Sequence, residues 1–200
     1  MTDNFFALIS RMRHITRWSL MRSSIPENIQ EHSHMTAVIA HALGLIRREI
    51  FGRDCDVNEL AAIALYHDAP EIFTGDLPTP IKYHNRSIRA AYGEVEAAAV
   101  EKLLYTLPEQ LRPAYRGLFT AEQDASRYEL VRAADKLSAY IKCIEERKAG
   151  NLEFLSAEKS TREKLEQSPL PEVEYFMEHF IPAFERNLDE LGGGEIAWKR

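Results

Sequence analysis

The segment ALYHDAPEIFTGDLPTP, residues 64–80, gathers several ionisable side chains in a short stretch of chain. An apolar, helix-prone run ends at His67 and Asp68, and Glu71 follows four residues after the histidine. If the helix continues for one more turn, these three side chains share one side of it. Two carboxylates at the negative carbonyl end of a helix repel each other unless a cation lies among them. The spacing therefore indicates a divalent metal site.

A His-Asp dipeptide is weak evidence alone, so the site needs ligands from other parts of the chain. His32 lies on the apolar stripe of a second predicted helix and should point into the core, where a structural histidine is the common alternative. Asp135 lies at the edge of the apolar face of another predicted helix, where an unpaired carboxylate is costly to bury. The alternative to metal binding for Asp135 is a structural ion pair with Arg132 or Lys136, which are close in sequence.

Four candidate ligands thus come from three helices: His32, His67, Asp68 and Asp135. Two imidazole nitrogens and two carboxylates, without a thiolate, favour Mn, Co, Fe, Ni or Zn in an open site that also holds water. An open site of this kind is suited to hydrolysis.

Helical periodicity dominates the chain, and alternating strand patterns are scarce. Gly75, Pro78 and Pro80 forbid a continuous helix after Asp68. We therefore predict an all-α bundle of six to eight helices, with Asn58 as the cap of the third. The apolar face of the second helix is predicted to consist of Met35, Val38, Ile39, Ala42, Leu43 and Ile46. The predicted helices cover about 4–18, 31–48, 57–69, 87–107, a short segment from 108, 121–149, 152–167 and 171–191.

Length and composition predict one folded domain over residues 1–200, with a core from about 5 to 190 and a frayed tail over 192–200. The formal net charge of -6 argues against a partner that is a nucleic acid polymer. The N-terminal segment lacks a signal peptide pattern, and no apolar run is long enough to span a membrane. Two cysteines make no disulfide framework, so we expect a cytoplasmic protein.

The spread pattern His32, then His67 and Asp68, then Asp135 resembles the H…HD…D signature of the HD-domain metal-dependent phosphohydrolases, which are all-helical. The surrounding sequence is similar to the bacterial YfbR-type 5'-deoxynucleotidases across nearly the whole chain. The segments that carry this resemblance are RWSLMR at 17–22, ENIQEHS at 27–33, YHDAPEIFTGDLPTPIKY at 66–83, KLSAYIKCIEERKAGN at 136–151 and MEHFIPAF at 177–184.

The resemblance implies hydrolysis of deoxyribonucleoside 5'-monophosphates to the deoxynucleoside and phosphate. It also implies a homodimer and one divalent metal ion, with Co, Mn or another first-row transition metal as the expected identity. The four candidate ligands would hold this ion, and three of them would also lie against the substrate. The implied substrate-binding residues are Arg17, Trp18, His32, Asp68, Asp76, Leu77, Pro78, Thr79 and Asp135.

The expected catalytic residues are Glu71, Arg17 and Asp76. Glu71 would take or relay the proton of the attacking water, and Arg17 would orient the phosphate through its planar fork of donors. Asp76 would donate a proton to the departing 5'-oxygen or hold the sugar 3'-hydroxyl instead. Trp18, if it packs against C2' of the sugar, would leave no room for a 2'-hydroxyl.

Two of these residues also fit ordinary structural roles, Arg17 as a surface arginine and Trp18 as a core residue. Two rival functions stay open at this point. One is an HD-type hydrolase of other phosphorylated nucleotides. The other is a metal-stabilised nucleotide-binding protein without catalysis, although Glu71 and Arg17 argue against it.

Overall fold

In the computed structural model, residues 3–82, 84–121 and 124–192 are described, and they form an all-α fold with one isolated antiparallel bridge, between Thr16 and Asn28. Seven of the described α-helices have eight or more residues. Tail residues 193–200 lie outside the described residues. The helices are α1 (Phe5–Ile9), α2 (Ile29–Leu45), α3 (Val57–Tyr66), α4 (Glu71–Thr74), α5 (Thr79–Lys82), α6 (Arg86–Tyr105), α7 (Arg112–Phe119), α8 (Ala125–Lys148), α9 (Leu155–Glu166), α10 (Pro171–His179) and α11 (Leu188–Leu191).

Helices α2, α3 and α8 build the centre of the main core, and α10 covers part of it. Their inward side chains are aliphatic and almost fully buried, so each helix is fixed in rotation about its own axis. None of the described helices is both long and apolar enough to cross a membrane. The most deeply buried members of this core include Ala40, Leu43, Ile63, Ala64, Val131, Ala134, Leu137 and Ile144.

The apolar face predicted for α2 is only partly correct. Ile39, Leu43 and Ile46 are buried, but Met35 and Val38 are 37% and 52% exposed. α2 packs against α3 and α8 together, and the close approach of these helices selects small side chains for the inner face. That inner face includes Ser33, Thr36, Ala37, Ala40 and Gly44, which hydrophobicity alone does not identify.

Gly44 sets the separation between α2 and α3. A Cβ built there would lie 2.9 Å from Val57 Cγ1 and 3.0 Å from Leu60 Cδ1. We expect Gly44→Ala to lower the free energy of unfolding by about 1 kcal/mol, because overpacking outweighs the better helix propensity of alanine.

Gly93 provides the matched control for denaturant unfolding of this variant. It lies within α6, and a Cβ added there would meet no described atom within 4 Å. Gly93→Ala should therefore raise the free energy of unfolding by about 0.5–1 kcal/mol. Equal stabilisation by both alanines would contradict the close-contact explanation.

The first predicted helix ends earlier than expected, because the backbone groups of Ile15 and Arg17 bond to a later segment of the chain and do not continue the helix. α1 passes into a 3-10 turn over Ser10–His14, and the chain then becomes extended. The Arg17 N–H donates to the Glu27 carbonyl at 2.9 Å, and the Ile29 N–H donates to the Ile15 carbonyl at 3.0 Å. This pairing fastens the segment after α1 to the start of α2.

Two other predicted helix boundaries are wrong. The cap of α3 is Asp56 and not Asn58, since the Asp56 carboxylate accepts hydrogen bonds from the backbone N–H groups of Asn58 and Glu59. The predicted helix over 171–191 divides into α10, a 3-10 turn over Ile181–Glu185 and α11. Pro182 has no N–H to donate, which favours the interruption there.

Candidate functional site

The four candidate metal ligands converge where α2, α8 and the turn after α3 meet. His32 Nε2 lies 3.0 Å from Asp135 Oδ1 and 3.6 Å from Asp68 Oδ2. His67 Nε2 lies 3.2 Å from the same oxygen of Asp68. The helices on which these residues lie are far apart in sequence, so packing of α2, α3 and α8 creates the site.

The two imidazole rings are oriented for ligation through Nε2. His67 Nδ1 lies 2.7 Å from the Ala64 carbonyl oxygen, so Nδ1 carries the hydrogen and donates it. Its buried Nε2 makes no well-aligned hydrogen bond in the described part of the chain, although Asp68 Oδ2 lies 3.2 Å away. His32 Nδ1 is held 3.1 Å from the Ser138 hydroxyl oxygen. Such contacts fix the ring orientation of metal-binding histidines.

The donor set fits a divalent transition-metal ion. One ligand atom from each of His32, His67 and Asp135 lies within 4.8 Å of the others, and the Asp68 carboxylate adjoins both histidines. Nitrogen and oxygen donors without thiolate suit first-row divalent ions. The Asp135 side chain is 43% exposed, which leaves the centre open to water on its side.

Electrostatics at this centre favour a positive charge. Burial disfavours the charged form of His67, but the Asp68 and Asp135 carboxylates outweigh it and raise the pKa of His67 to about 9. Burial likewise opposes ionisation of Asp68, yet His67 holds the pKa of that carboxyl well below its ordinary value. The carboxylates therefore retain a proton on the imidazole, in competition with a metal cation.

Glu71 reaches the site through a turn and not through the continuous helix that its spacing suggested. α3 ends at Tyr66, residues 67–70 form a turn, and α4 begins at Glu71. The Glu71 side chain is buried, and its Oε2 has no hydrogen-bond partner among the described residues. Burial first, then the charges of Asp68 and Asp76, raise the pKa of Glu71 to about 10.

Arg17 and Trp18 lie beside the centre on the extended segment after α1. The Arg17 side chain is only 14% exposed, and its charge interacts with Asp68, Asp76 and Asp135. Trp18 has a backbone φ of +59°, which is rare for a residue other than glycine and is typical of functional sites. Both side chains donate to Glu27 Oε2, each at 3.0 Å.

The loop after α4 lies near Arg17 and Trp18. Gly75 ends α4 with a φ of +71°, a conformation that favours glycine. Burial raises the pKa of the Asp76 carboxyl, against the opposing charge of Arg17 and the polar backbone N–H of Trp18. Leu77 and Pro78 follow and are half-buried. For Thr79, which begins α5, the side chain lies outside the described residues.

Helix α6 and a buried network on α8 hold these loops in place. On α6, the Tyr92 hydroxyl lies 3.2 Å from Thr74 Oγ1 at the end of α4. On α8, the buried carboxylate of Glu146 accepts the backbone N–H of Ser24 at 2.7 Å and the side-chain amide of Asn151 at 2.8 Å. The loop that follows Trp18 is therefore fixed to the scaffold at its far end.

Sequence reasoning did not identify Glu27, Ser138 or Glu146 as functional-site residues. Glu27 and Glu146 lie within the segments ENIQEHS and KLSAYIKCIEERKAGN, so family similarity pointed to their neighbourhood. Glu27 has no partner at helical spacing, and although Glu146 pairs with Lys142 four residues earlier, its bond to the Ser24 N–H joins distant parts of the chain, as do the contacts of Glu27. No local pattern could have assigned these long-range contacts.

Comparison with known proteins gives consistent matches over nearly the whole chain. The model of the YfbR-like 5'-deoxynucleotidase family matches residues 4–184. A 5'-deoxynucleotidase of Shewanella oneidensis is 45% identical over 190 residues, covering 94% of this chain and 97% of the relative. A 5'-deoxynucleotidase of Vibrio cholerae is 46% identical over 192 residues, with 94% and 98% covered.

Solved structures share the fold. An HD-domain phosphohydrolase of Listeria innocua is similar with a TM-score of 0.79 at 25% identity, covering 90% of this chain and 88% of that chain. The cyanophage S-2L HD phosphohydrolase DatZ, bound to dA and one catalytic Zn2+ ion, has a TM-score of 0.61 at 22% identity. That comparison covers 90% of this chain and 96% of the cyanophage chain. The all-α, HD-domain fold predicted from the sequence is thus confirmed.

Proposed function

This chain belongs to the YfbR-like 5'-deoxynucleotidase family, and we propose that it works with one divalent metal ion held by His32, His67, Asp68 and Asp135. It is a phosphoric monoester hydrolase that converts deoxyribonucleoside 5'-monophosphates to the deoxynucleoside and phosphate. The observation that carries the metal proposal is the buried Nε2 of His67, which lacks a hydrogen bond and lies among these ligand atoms. Phosphate release from dAMP, with and without added metal ions, tests it.

The metal is expected to be Co, Mn or another first-row transition metal. The mixed nitrogen and oxygen donors support this class, and the cyanophage phosphohydrolase of the same fold holds one catalytic Zn2+ ion. When bound, such an ion supplies a Lewis acid that neutralises phosphate charge and lowers the pKa of water. The protein residues described next position the substrate and move protons.

Arg17 orients the phosphate in this proposal. Its hydrogen bond to Glu27 uses Nη1, which leaves Nε and Nη2 to donate to phosphate oxygens. Asp76, Leu77, Pro78 and Thr79 form the facing substrate loop, and the ligands His32, Asp68 and Asp135 also border the substrate. The electrostatic interaction between Asp76 and Arg17 supports a common pocket for the sugar and the phosphate.

Glu71 accepts or relays the proton of the attacking water. Without a metal ion this carboxyl holds a proton at neutral pH, because burial and two neighbouring acids raise its pKa to about 10, and the charge of a bound divalent ion would favour the carboxylate form that accepts a proton. Asp76 has two candidate roles, which are proton donation to the departing 5'-oxygen and a hydrogen bond to the sugar 3'-hydroxyl. Its pKa is also raised by burial, which favours the first role.

Trp18 selects deoxyribose by occupying the space that a 2'-hydroxyl would need. We expect Trp18→Ala to lower the ratio of kcat/KM for dAMP over AMP at least about tenfold, the scale of a lost steric discrimination of about 1–3 kcal/mol. Steady-state phosphate release with both substrates measures this ratio. A ratio equal to that of the unchanged protein would refute the steric explanation.

We also propose a homodimer that works in the cytoplasm. The exposed apolar side chains of Met35 and Val38 on α2 support an association surface, and the free thiols of Cys55 and Cys143 are compatible with a reducing compartment. Sedimentation analysis should give about twice the chain mass of 23.0 kDa. A mass equal to that of one chain at micromolar concentration would exclude the dimer.

A further inference from the structure

We infer that Glu27 is a positioning residue that makes phosphate orientation and sugar selection depend on each other. The inference rests on the proposed function, which assigns Arg17 to the phosphate and Trp18 to C2' of the sugar. One carboxylate oxygen, Glu27 Oε2, accepts hydrogen bonds from Arg17 Nη1 and Trp18 Nε1, at 3.0 Å each. The two substrate-contacting side chains therefore share one anchor.

The shared acceptor Glu27 Oε2 constrains Arg17 and Trp18 differently. Arg17 donates through Nη1 and keeps other N–H groups for the phosphate. The indole of Trp18 has a single N–H, so Glu27 satisfies its entire hydrogen-bonding capacity. The Trp18 ring also packs against Phe154, with ring centroids 5.2 Å apart. Glu27 therefore sets the in-plane orientation of a ring that packing alone would leave free to slide.

Glu27 is itself tied to the helix that holds a metal ligand. Its carbonyl accepts the Arg17 backbone N–H at 2.9 Å, so backbone and side chain bind the same residue. The next residue, Asn28, caps α2 by accepting the N–H groups of Gln30 and Glu31 at 3.0 Å each. Because His32 lies in the first turns of α2, Glu27 transmits the position of the metal-bearing helix to Arg17 and Trp18.

Substitution of the carboxylate by an apolar side chain of similar length tests this role. In the metal-loaded protein, we expect Glu27→Met to lower the dAMP over AMP ratio of kcat/KM about tenfold, with KM for dAMP rising more than kcat falls. Glu27→Gln keeps an oxygen that accepts both bonds, so it should retain the ratio within about threefold. Glu27→Ala replaces the Met variant if thermal melting shows that the latter does not fold.

Glu145→Gln is the matched control, since Glu145 and Glu27 both line a groove between the start of α2 and α8. Among the described contacts its carboxylate bonds neither Arg17 nor Trp18, and the variant should keep the ratio of the unchanged protein. Trp18→Phe removes the indole N–H. In that background, Glu27→Met should change the ratio less than about twofold, because the coupled contact is already lost.

The outcomes separate the inference from the proposed function. If the unchanged protein releases phosphate from dAMP and a folded Glu27→Met variant keeps its sugar preference, Glu27 is not a positioning residue. An equal loss of ratio in the Trp18→Phe background would also overturn the inference, since Glu27 would then act without the indole. If the unchanged protein shows no metal-dependent release from dAMP, the proposed function itself fails.

Discussion

His67→Ala is expected to abolish metal-dependent phosphate release from dAMP, with a loss of at least about 1000-fold in kcat/KM. His67 Nδ1 is committed to the Ala64 carbonyl, so Nε2 is the nitrogen available to a metal ion. Alanine removes this proposed ligand and leaves the Asp68 and Asp135 carboxylates, whose charges the His67 imidazole no longer offsets. Metal content after dialysis and steady-state activity measure the two effects together.

His34→Ala is the control for this variant. His34 lies two residues after His32 on α2, and its side chain is exposed. The control should keep full metal content and activity. Added metal should raise the melting temperature of the unchanged protein and of His34→Ala, but not that of His67→Ala. Metal-dependent activity within a few-fold of normal in His67→Ala would contradict its assignment as a ligand.

Glu71→Gln should keep metal binding and lose turnover by about 100- to 10,000-fold, the usual contribution of a positioned acid–base group. The Glu71 carboxyl is buried near Asp68 and Asp76, and its Oε2 has no hydrogen-bond partner among the described residues, so this oxygen is available to exchange a proton with a bound water. Glutamine has nearly the same shape but cannot accept the proton. Glu94→Gln, an exposed change on α6, serves as the control.

Glu71→Gln should also change how the melting temperature depends on pH, which a residue that only fills space would not do. The folded-state pKa of Glu71, about 10, lies above the ordinary 4.5. A raised carboxyl pKa favours folding below pH 4.5, and this advantage declines as pH rises from 4.5 toward 10. In metal-free protein, Glu71→Gln should therefore weaken the fall in melting temperature between about pH 6 and pH 9. An unchanged pH slope together with retained turnover would remove Glu71 from the mechanism.

Periodicity predicted the helical class well because α2, α3 and α8 have continuous apolar faces that only packing in a core can satisfy. It failed where small residues determine the contact, as when Gly44 was not recognised and Met35 was assigned to the interior. It also extended α1 too far, since the competing backbone partners of Ile15 and Arg17 lie in a later segment.

Ligand chemistry and local spacing predicted only part of the site. His32 and His67 were selected by residue type, and the structure brings them together with Asp135. Glu71 was placed near them on an assumed helical turn, whereas the chain uses a turn over 67–70 and a new helix. Glu27 was missed because a single oxygen shared by two distant donors leaves no periodic signal.

Metal dependence is tested by phosphate release from dAMP and AMP in metal-stripped protein, before and after addition of Co, Mn, Zn or Mg. We expect no release without metal, restored release from dAMP with a first-row transition metal, and much weaker release from AMP. Release from dAMP that is equally fast in the stripped protein would contradict the metal centre formed by His32, His67, Asp68 and Asp135.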